Sequence, residues 1–181
     1  MSFQLHGAMV KLAAGLLAVL GLGLLVPERS VIPVDGATPR DWNPKSFWYE
    51  PWGPSGVHKG IDIFAPKGRR VVAATPGVVV YRGEWGLGGN VVAVLGPKWR
   101  LHYYAHLADG GEAPSWFVGA GSPVGAVGTS GNAAGKPPHL HYTVFSLIPI
   151  PWRYSSETQG WRKMFYLDPG VLLRRRTVSA S

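Results

Sequence analysis

Apolar residues are arranged in two different ways along the chain. Residues 12–26 form an uninterrupted apolar run, which Lys11 precedes and Pro27 follows. Beyond it, apolar positions occur in short segments that alternate with polar residues and end at clusters of glycine and proline. Alternation with a period of two is typical of strands that bury one face. The pattern therefore predicts an N-terminal helix followed by a domain of β-strands.

Turn signals divide the middle of the chain into hairpin-like units. Residues 71–74 and 78–81 flank a Thr-Pro-Gly turn, and the glycine-rich stretch 86–90 leads into the apolar residues 91–95. The glycines lack the order of a nucleotide-binding loop and have no P-loop lysine, so turns are the favoured interpretation. We therefore predict an all-β fold, built as an antiparallel β-sheet or β-sandwich.

The histidines indicate where the chemistry lies. Five of the six histidines and one aspartate fall in three strand-like segments, and they are His58 with Asp62, His102 with His106, and His139 with His141. Even spacing places such pairs on one face of a strand, and Tyr104 shares the predicted face of His102 and His106. Imidazole and carboxylate groups without thiolates suit Zn²⁺, which keeps three protein ligands and an open position in catalytic sites. Spacing alone leaves open which residues bind the metal.

The same segments resemble a known family. His58-x-x-x-Asp62, followed far downstream by His139-x-His141, is similar to the signature of the M23 (lysostaphin/LytM-like) zinc metallopeptidases. The resemblance covers about residues 45–150 and includes the segment 104–107 and the glycine-rich approach 125–131. It implies a LytM-like β core in which Zn²⁺ is bound by His58, Asp62 and His141, while His106 and His139 are catalytic and flank the metal-bound water.

The resemblance also implies a mechanism. Zinc lowers the pKa of its bound water and polarises a peptide carbonyl, while the two catalytic histidines exchange protons and stabilise the oxyanion. The chain has no His-Glu-x-x-His motif, so these histidines replace the glutamate base of the zincins. His102 is outside the family pattern. Tyr49 is the nearest candidate for a tyrosine that M23 enzymes often place before the first zinc histidine.

The substrates of the family are the peptide bridges of peptidoglycan. The chain carries no recognisable wall-binding module, and its architecture favours an enzyme that cuts D-Ala–meso-diaminopimelate bridges over a secreted glycyl-glycine lysin. A non-catalytic LytM-like scaffold that activates a cell-wall amidase is the first alternative. Such scaffolds usually lack several metal ligands, whereas this sequence keeps all five key positions. A metal-storage protein is the second, and the context of Gly60 and Asp62 argues against it. A regulatory envelope protein is a further expected partner, because uncontrolled cleavage would lyse the cell.

The composition of the chain limits which classes of binding partner are expected. Eighteen Lys and Arg residues against ten Asp and Glu residues give a net charge of +8, which favours a polyanion such as nucleic acid, anionic lipid or wall polymer. No helix-turn-helix, zinc-finger or RNP pattern is present, so nucleic acid is not expected as a partner. The chain contains no cysteine, which excludes disulfides, thiolate metal sites and lipoprotein attachment. The 25 glycines and 16 prolines agree with an all-β domain rich in turns.

The apolar run at the N-terminus predicts a transmembrane anchor or a signal helix. No Ala-x-Ala-like cleavage site follows it, which favours an uncleaved anchor, and the few N-terminal charges favour a cytoplasmic N-terminus. We therefore expect a periplasmic domain anchored in the inner membrane of the bacterial envelope, or a secreted one if the segment is cleaved. The predicted organisation is an anchor or signal at 1–29, a linker at 30–46, an M23-type peptidase domain at 47–152, and a C-terminal appendage at 153–181 with a short helix at 170–175.

Overall fold

A computed structural model describes residues 2–111 and 113–177, with the backbone alone for residues 2–6, 8 and 175–177. Over these ranges the α-helices are α1 (Ser2–Leu25) and α2 (Pro169–Thr177). The strands over the same ranges are β1 (Ile61–Phe64), β2 (Arg70–Val72), β3 (Gly77–Glu84), β4 (Asn90–Gly96), β5 (Arg100–Ala105), β6 (Phe117–Val118), β7 (Pro123–Ala126), β8 (His139–Ser146) and β9 (Tyr166–Leu167). Residues 178–181 of the predicted appendage lie outside the described residues, and the predicted short helix at 170–175 is part of α2.

One antiparallel sheet carries most of the strands. Its order is β1-β8-β5-β4-β3-β6, and β9 pairs with β8 beside this path. β2 and β7 form a second, two-stranded antiparallel sheet. The prediction of a mostly antiparallel β-sheet is confirmed. The predicted hairpin of 71–74 with 78–81 is wrong, because β2 pairs with β7 whereas β3 pairs with β4 and β6.

The core lies against one face of the large sheet. Leu140, Tyr142 and Val144 alternate along β8 toward this face, and all three are buried. Val71 of β2 and Val124 of β7 belong to the same apolar cluster. The alternation that the sequence shows is therefore the alternation of a strand with one face on the core. The opposite face of β8 remains available for the histidines.

Residues 30–46, predicted as a linker, pack against the domain. The amide of Val31 donates to the carbonyl of Ala74 at 2.8 Å, and the amide of Val72 donates to the carbonyl of Pro33 at 3.0 Å. The side chains of Val34 and Trp42 are buried in the core cluster. Apolar side chains in this stretch therefore cover the core, so the stretch belongs to the folded unit.

Helix α1 touches the domain near its C-terminal end. Trp99 Nε1 donates to the carbonyl of Leu20 at 2.9 Å, and Gly23 lies against the Trp99 ring, where a Cβ atom would collide. The side chains of Leu12 and Leu17 are among the exposed apolar groups of this helix. Within the described part of the chain, no helix is both long enough and apolar enough to span a membrane. The anchor or signal role of residues 1–29 stays a prediction.

A buried ionic group ties the segment after α1 to the sheet. Arg100 Nη1 donates to the Glu28 carboxylate, and His102 Nε2 lies 3.4 Å from its other oxygen. His102 Nδ1 is in turn 2.7 Å from the hydroxyl of Tyr142. Burial alone raises the pKa of Glu28, but the neighbouring His102 and Arg100 outweigh it and hold the pKa below its ordinary value. The ionised carboxylate therefore stabilises the fold.

Replacing Tyr104 by phenylalanine tests the core. The Tyr104 hydroxyl accepts a hydrogen bond of 2.8 Å from the buried amide of Ala74, and an unsatisfied buried amide costs about 1–3 kcal/mol. We expect urea unfolding to show a loss of stability in this range for Tyr104→Phe. Tyr81→Phe is the matched control, because the Tyr81 hydroxyl donates to the Glu84 carbonyl at an exposed position where water can substitute. Equal stability of the two variants would contradict this account.

Replacing Glu28 by glutamine tests the ion pair. Because the pKa of Glu28 is lowered in the folded state, its contribution is complete above the ordinary value of 4.5 and is lost as the pH falls through the folded-state value. We expect Glu28→Gln to lower the urea midpoint at about pH 7, and the difference from the unmodified protein to shrink as the pH falls below 4.5. A difference that does not change with pH would show that the charge of Glu28 is not the stabilising element.

Candidate metal centre

The first half of the centre comes from β1 and the bend before it. Asp62 is the second residue of β1, and His58 Nε2 lies 3.1 Å from Asp62 Oδ1. His58 Nδ1 donates to the carbonyl of Ser46 at 2.9 Å, so Nε2 keeps its lone pair for a metal. The strand-like segment predicted to hold both His58 and Asp62 is shorter than expected, because β1 begins at Ile61. His58 therefore reaches Asp62 from the bend and not by strand alternation.

Strand pairing supplies the third group. In the register of β1 with β8, Asp62 is directly opposite His141, and opposite residues of an antiparallel pair share a face. His141 Nδ1 lies 2.8 Å from Asp62 Oδ1 and 3.1 Å from His58 Nε2. One ligand atom from each of the three residues lies within 4.8 Å of the others. Two imidazoles and one carboxylate at this separation fit a single Zn²⁺ ion.

Two further histidines border this group. His139 is two residues before His141 on the same face of β8, and its Nε2 atom lies 3.9 Å from Asp62 Oδ2. The His106 ring centroid is 5.0 Å from that of His139 and 5.9 Å from that of His141. The structure therefore brings together all five residues that the sequence singled out as metal ligands and catalytic groups.

The position of the His106 side chain does not follow from strand alternation. It directly follows β5 and has a φ of +62°, a left-handed conformation that is uncommon outside glycine. This turn directs its side chain toward the metal centre, whereas His102 and Tyr104 remain buried on the core face of β5. The prediction that the three side chains share one face is wrong for this reason. His102 pairs with Tyr142 and Glu28, away from the metal centre.

The ionisation of the site suits a metal ion. Burial alone raises the pKa of Asp62, but hydrogen bonds and charge from His141 and His58 outweigh it and hold the pKa well below its usual range. Burial lowers the pKa of His141, with Asp62 opposing. Burial, together with the charges of His141 and His139, lowers the pKa of His106 to about 4. An ionised carboxylate beside neutral imidazoles is the state that metal binding requires.

Aromatic side chains form the walls of the centre. The Trp52 ring stacks on the His58 ring, with centroids 4.1 Å apart and planes at 25°. Phe64 lies on the other side, 5.4 Å from the His139 ring. Tyr49 is exposed, and its ring meets that of Trp52 edge to face with ring centroids 6.1 Å apart. Trp52 rather than Tyr49 therefore covers the ring of His58. The sequence pointed to Tyr49 in this stretch and gave no sign that Trp52 would meet His58.

One residue of the site was not foreseen. Thr143 Oγ1 lies 3.0 Å from His141 Nε2, the ring nitrogen that does not face Asp62. Gly60 lies very close to this pair, so a Cβ atom there would collide with the Tyr142 carbonyl and the Thr143 hydroxyl. The even spacing from His141 to Thr143 was the only signal in the sequence that both side chains lie on one face.

Comparisons with known proteins agree with this geometry. The model of peptidase family M23 matches residues 56–148, which is more than half of the chain. The L-Ala–D-Glu endopeptidase of Bacillus subtilis (strain 168) is 36% identical over 140 residues, covering 68% of this chain and 43% of that protein. This chain thus spans less than half of the length of that relative.

Solved structures show the same likeness. The catalytic domain of the antimicrobial peptidase lysostaphin from Staphylococcus simulans aligns with a TM-score of 0.52 and 25% identity, over 68% of this chain and 85% of that chain. A zinc-containing peptidase from Vibrio cholerae aligns with a TM-score of 0.50 and 26% identity, over 65% of this chain and 37% of that chain. The family match over residues 56–148 and the likeness to the Bacillus enzyme confirm the resemblance seen in the sequence: the chain belongs to peptidase family M23.

Proposed function

We propose that this chain is a zinc-dependent endopeptidase that hydrolyses the peptide cross-links of peptidoglycan. The observation that carries the proposal is the cluster of three metal-ligand side chains with two histidines beside it, in a chain of the M23 family. The name of the Bacillus relative, an L-Ala–D-Glu endopeptidase, supports a bond of the cell-wall peptide as the substrate. The net charge of +8 suits an anionic polymer.

In this proposal Zn²⁺ is held by His58, Asp62 and His141. When bound, the ion supplies a water of lowered pKa and a Lewis acid for the substrate carbonyl. Because the donor set holds two neutral imidazoles and one carboxylate, the site keeps a net positive charge. Zincins use a glutamate side chain as the general base. The described side chains of this cluster include no such glutamate.

The two bordering histidines then act as the proton-transfer groups. His106 Nδ1 donates to the carbonyl of Ser130 at 2.9 Å, and His139 Nδ1 donates to the carbonyl of Pro137 at 2.8 Å. Each ring therefore presents Nε2 as its free nitrogen. The lowered pKa of His106, about 4, keeps this ring neutral near pH 7, so it accepts a proton from the attacking water. The proton that His106 accepts passes to Nε2 of the neighbouring His139, which in this form donates to the developing oxyanion and delivers the proton to the leaving amine.

The proposal also specifies which peptide bond is cleaved and where in the cell the enzyme acts. We favour D-Ala–meso-diaminopimelate bridges and a site of action in the bacterial envelope, where peptidoglycan lies. A membrane anchor or signal at 1–29 and a regulatory envelope protein stay predictions. The non-catalytic amidase-activating scaffold is less well supported, because such scaffolds usually lack several metal ligands, whereas His58, Asp62 and His141 lie together here.

Digestion of purified, labelled peptidoglycan tests the activity. We expect the full chain to release new stem peptides with zinc and none with a chelator, with mass spectrometry identifying the bond. His139→Ala should retain one zinc per chain and lose turnover, whereas His141→Ala should lose the metal because one of three ligands is removed. Zinc retained at full affinity in His141→Ala would refute the ligand assignment. Cleavage that persists in the chelator would refute the dependence on zinc.

Replacing Thr143 by valine tests the support of the metal ligand. With Nδ1 of His141 directed at the metal, Nε2–H donates to the Thr143 hydroxyl, and such outer partners are worth about 10–100-fold in metal affinity. We expect Thr143→Val to weaken zinc binding by a factor in this range, measured by competition with a chromogenic chelator. Thr143→Ser keeps the hydroxyl and should bind zinc nearly as the unmodified protein does. Equal affinities of the valine and serine variants would contradict the role of the hydroxyl.

A further inference from the structure

Residues 150–166 form a small lobe at the start of the C-terminal appendage. The amide of Ile150 donates to the carbonyl of Met164 at 2.8 Å. Arg153 Nε donates to the carbonyl of Lys163 at 3.1 Å, and Arg153 Nη2 donates to the carbonyl of Tyr166 at 3.0 Å. These hydrogen bonds fasten the two arms of the lobe to each other, so the side chains on its surface have defined positions.

Three large aromatic side chains of this lobe are exposed. Trp152 is 86% exposed, Tyr154 63% and Trp161 52%. The Arg162 guanidinium lies 5.2 Å from the Trp161 ring centroid, which leaves the rest of that ring open to solvent. Clusters of exposed aromatic groups mark binding surfaces, and Trp, Tyr and Arg are the residues that contribute most to binding. These rings lie outside the core cluster, so they remain available to a ligand.

Two hydrogen bonds join the lobe to a wall of the metal centre. Trp48 Nε1 donates to the carbonyl of Thr158 at 3.1 Å, and Gln159 Nε2 donates to the carbonyl of Ser55 at 2.9 Å. Ser55 lies three residues after the tryptophan that stacks on His58. The lobe is thus attached to the loop that covers a metal-binding ring.

The lobe also packs on the sheet face that carries the metal centre. Phe165 stacks on Phe145, with ring centroids 5.7 Å apart and planes at 11°. Phe145 is four residues after His141 on β8, so the two side chains share a face of that strand. The surface of the lobe therefore continues from the metal centre along the same side of the sheet.

The charge of the lobe is basic. Arg153, Arg162 and Lys163 carry three positive charges, and Glu157 carries the single negative charge of residues 150–166. Lys163 binds Glu157, while Arg162 lies over the Trp161 ring. A ligand for this surface should combine apolar faces with anionic groups.

We propose that this lobe binds the glycan strand of peptidoglycan next to the peptide that enters the metal centre. The flat faces of Trp152, Tyr154 and Trp161 pack against the C–H faces of the sugar rings, and the Arg162 guanidinium beside Trp161 faces a carboxylate of an attached stem. This inference rests on the proposed function and adds a second contact surface to it. A bilayer surface would also attract aromatic and basic groups. The continuity with the metal centre favours the polymer that carries the scissile peptide.

The test compares the double variant Trp152→Ala/Trp161→Ala with Trp116→Ala in the full chain. Trp116 is the matched control, because it is 65% exposed and has the Arg82 guanidinium 5.5 Å from its ring centroid, next to β6 at the other edge of the sheet. Sedimentation with purified, insoluble sacculi in chelator measures binding without cleavage. We expect the double variant to bind about tenfold more weakly. Trp116→Ala should bind as the unmodified chain does.

A short cross-linked stem-peptide dimer without sugars provides the second measurement. The double variant should hydrolyse it, with zinc present, within about twofold of the unmodified rate, because the two tryptophans contact sugar rings that this substrate lacks. Unchanged sedimentation of the double variant would overturn the inference, as would an equal loss in Trp116→Ala. Lobe-dependent sedimentation with anionic phospholipid vesicles instead of sacculi would overturn it in favour of a membrane surface. Absence of hydrolysis in the unmodified chain would count against the proposed function, while sedimentation would still report on the lobe.

Discussion

The register between β1 and β8 is the constraint on which the metal centre depends. It sets Asp62 directly opposite His141, and a slip by one residue would exchange the site face and the core face of β8. Leu140, Tyr142 and Val144 oppose such a slip, because each is buried on the core face. Burial of a large apolar side chain contributes about 1.5–3 kcal/mol. The packing of the core thus holds the histidines on the other face.

Backbone carbonyls orient the imidazoles within this frame. The Nδ1 atoms of three rings lie 2.8–2.9 Å from main-chain carbonyl oxygens, and these rings are His58, His106 and His139. His141 has the opposite orientation, since its Nδ1 atom faces Asp62 and its Nε2 atom meets the Thr143 hydroxyl. Neighbours outside the cluster therefore decide which nitrogen of each ring is free. The histidines of the centre are thus distinguished by their hydrogen-bond partners, although their side chains are identical.

Segments on both sides of the predicted 47–152 domain complete the fold. Val34 and Trp42 on one side and Leu167 and Leu173 on the other are buried in the same core cluster. The lobe at 150–166 then extends the wall that begins at Trp52. A small β-domain has a high ratio of surface to volume, so chain on either side of the strands is needed to cover its core. The N-terminal covering segment also reaches the metal centre, because the Ser46 carbonyl accepts a hydrogen bond from His58 Nδ1.

The sequence by itself determined the period-two strands and the antiparallel sheet, because side-chain alternation is a local property. The five residues of the centre followed from the resemblance to the family's motifs, because even spacing alone did not separate them from His102. The sequence did not determine that β2 pairs with β7, since strand pairing depends on contacts distant in sequence. Nor did it determine the turn of His106 away from His102, which depends on one φ angle of +62°. Only the tertiary structure could decide these features, because each is set by the packing of segments that the chain brings together after folding.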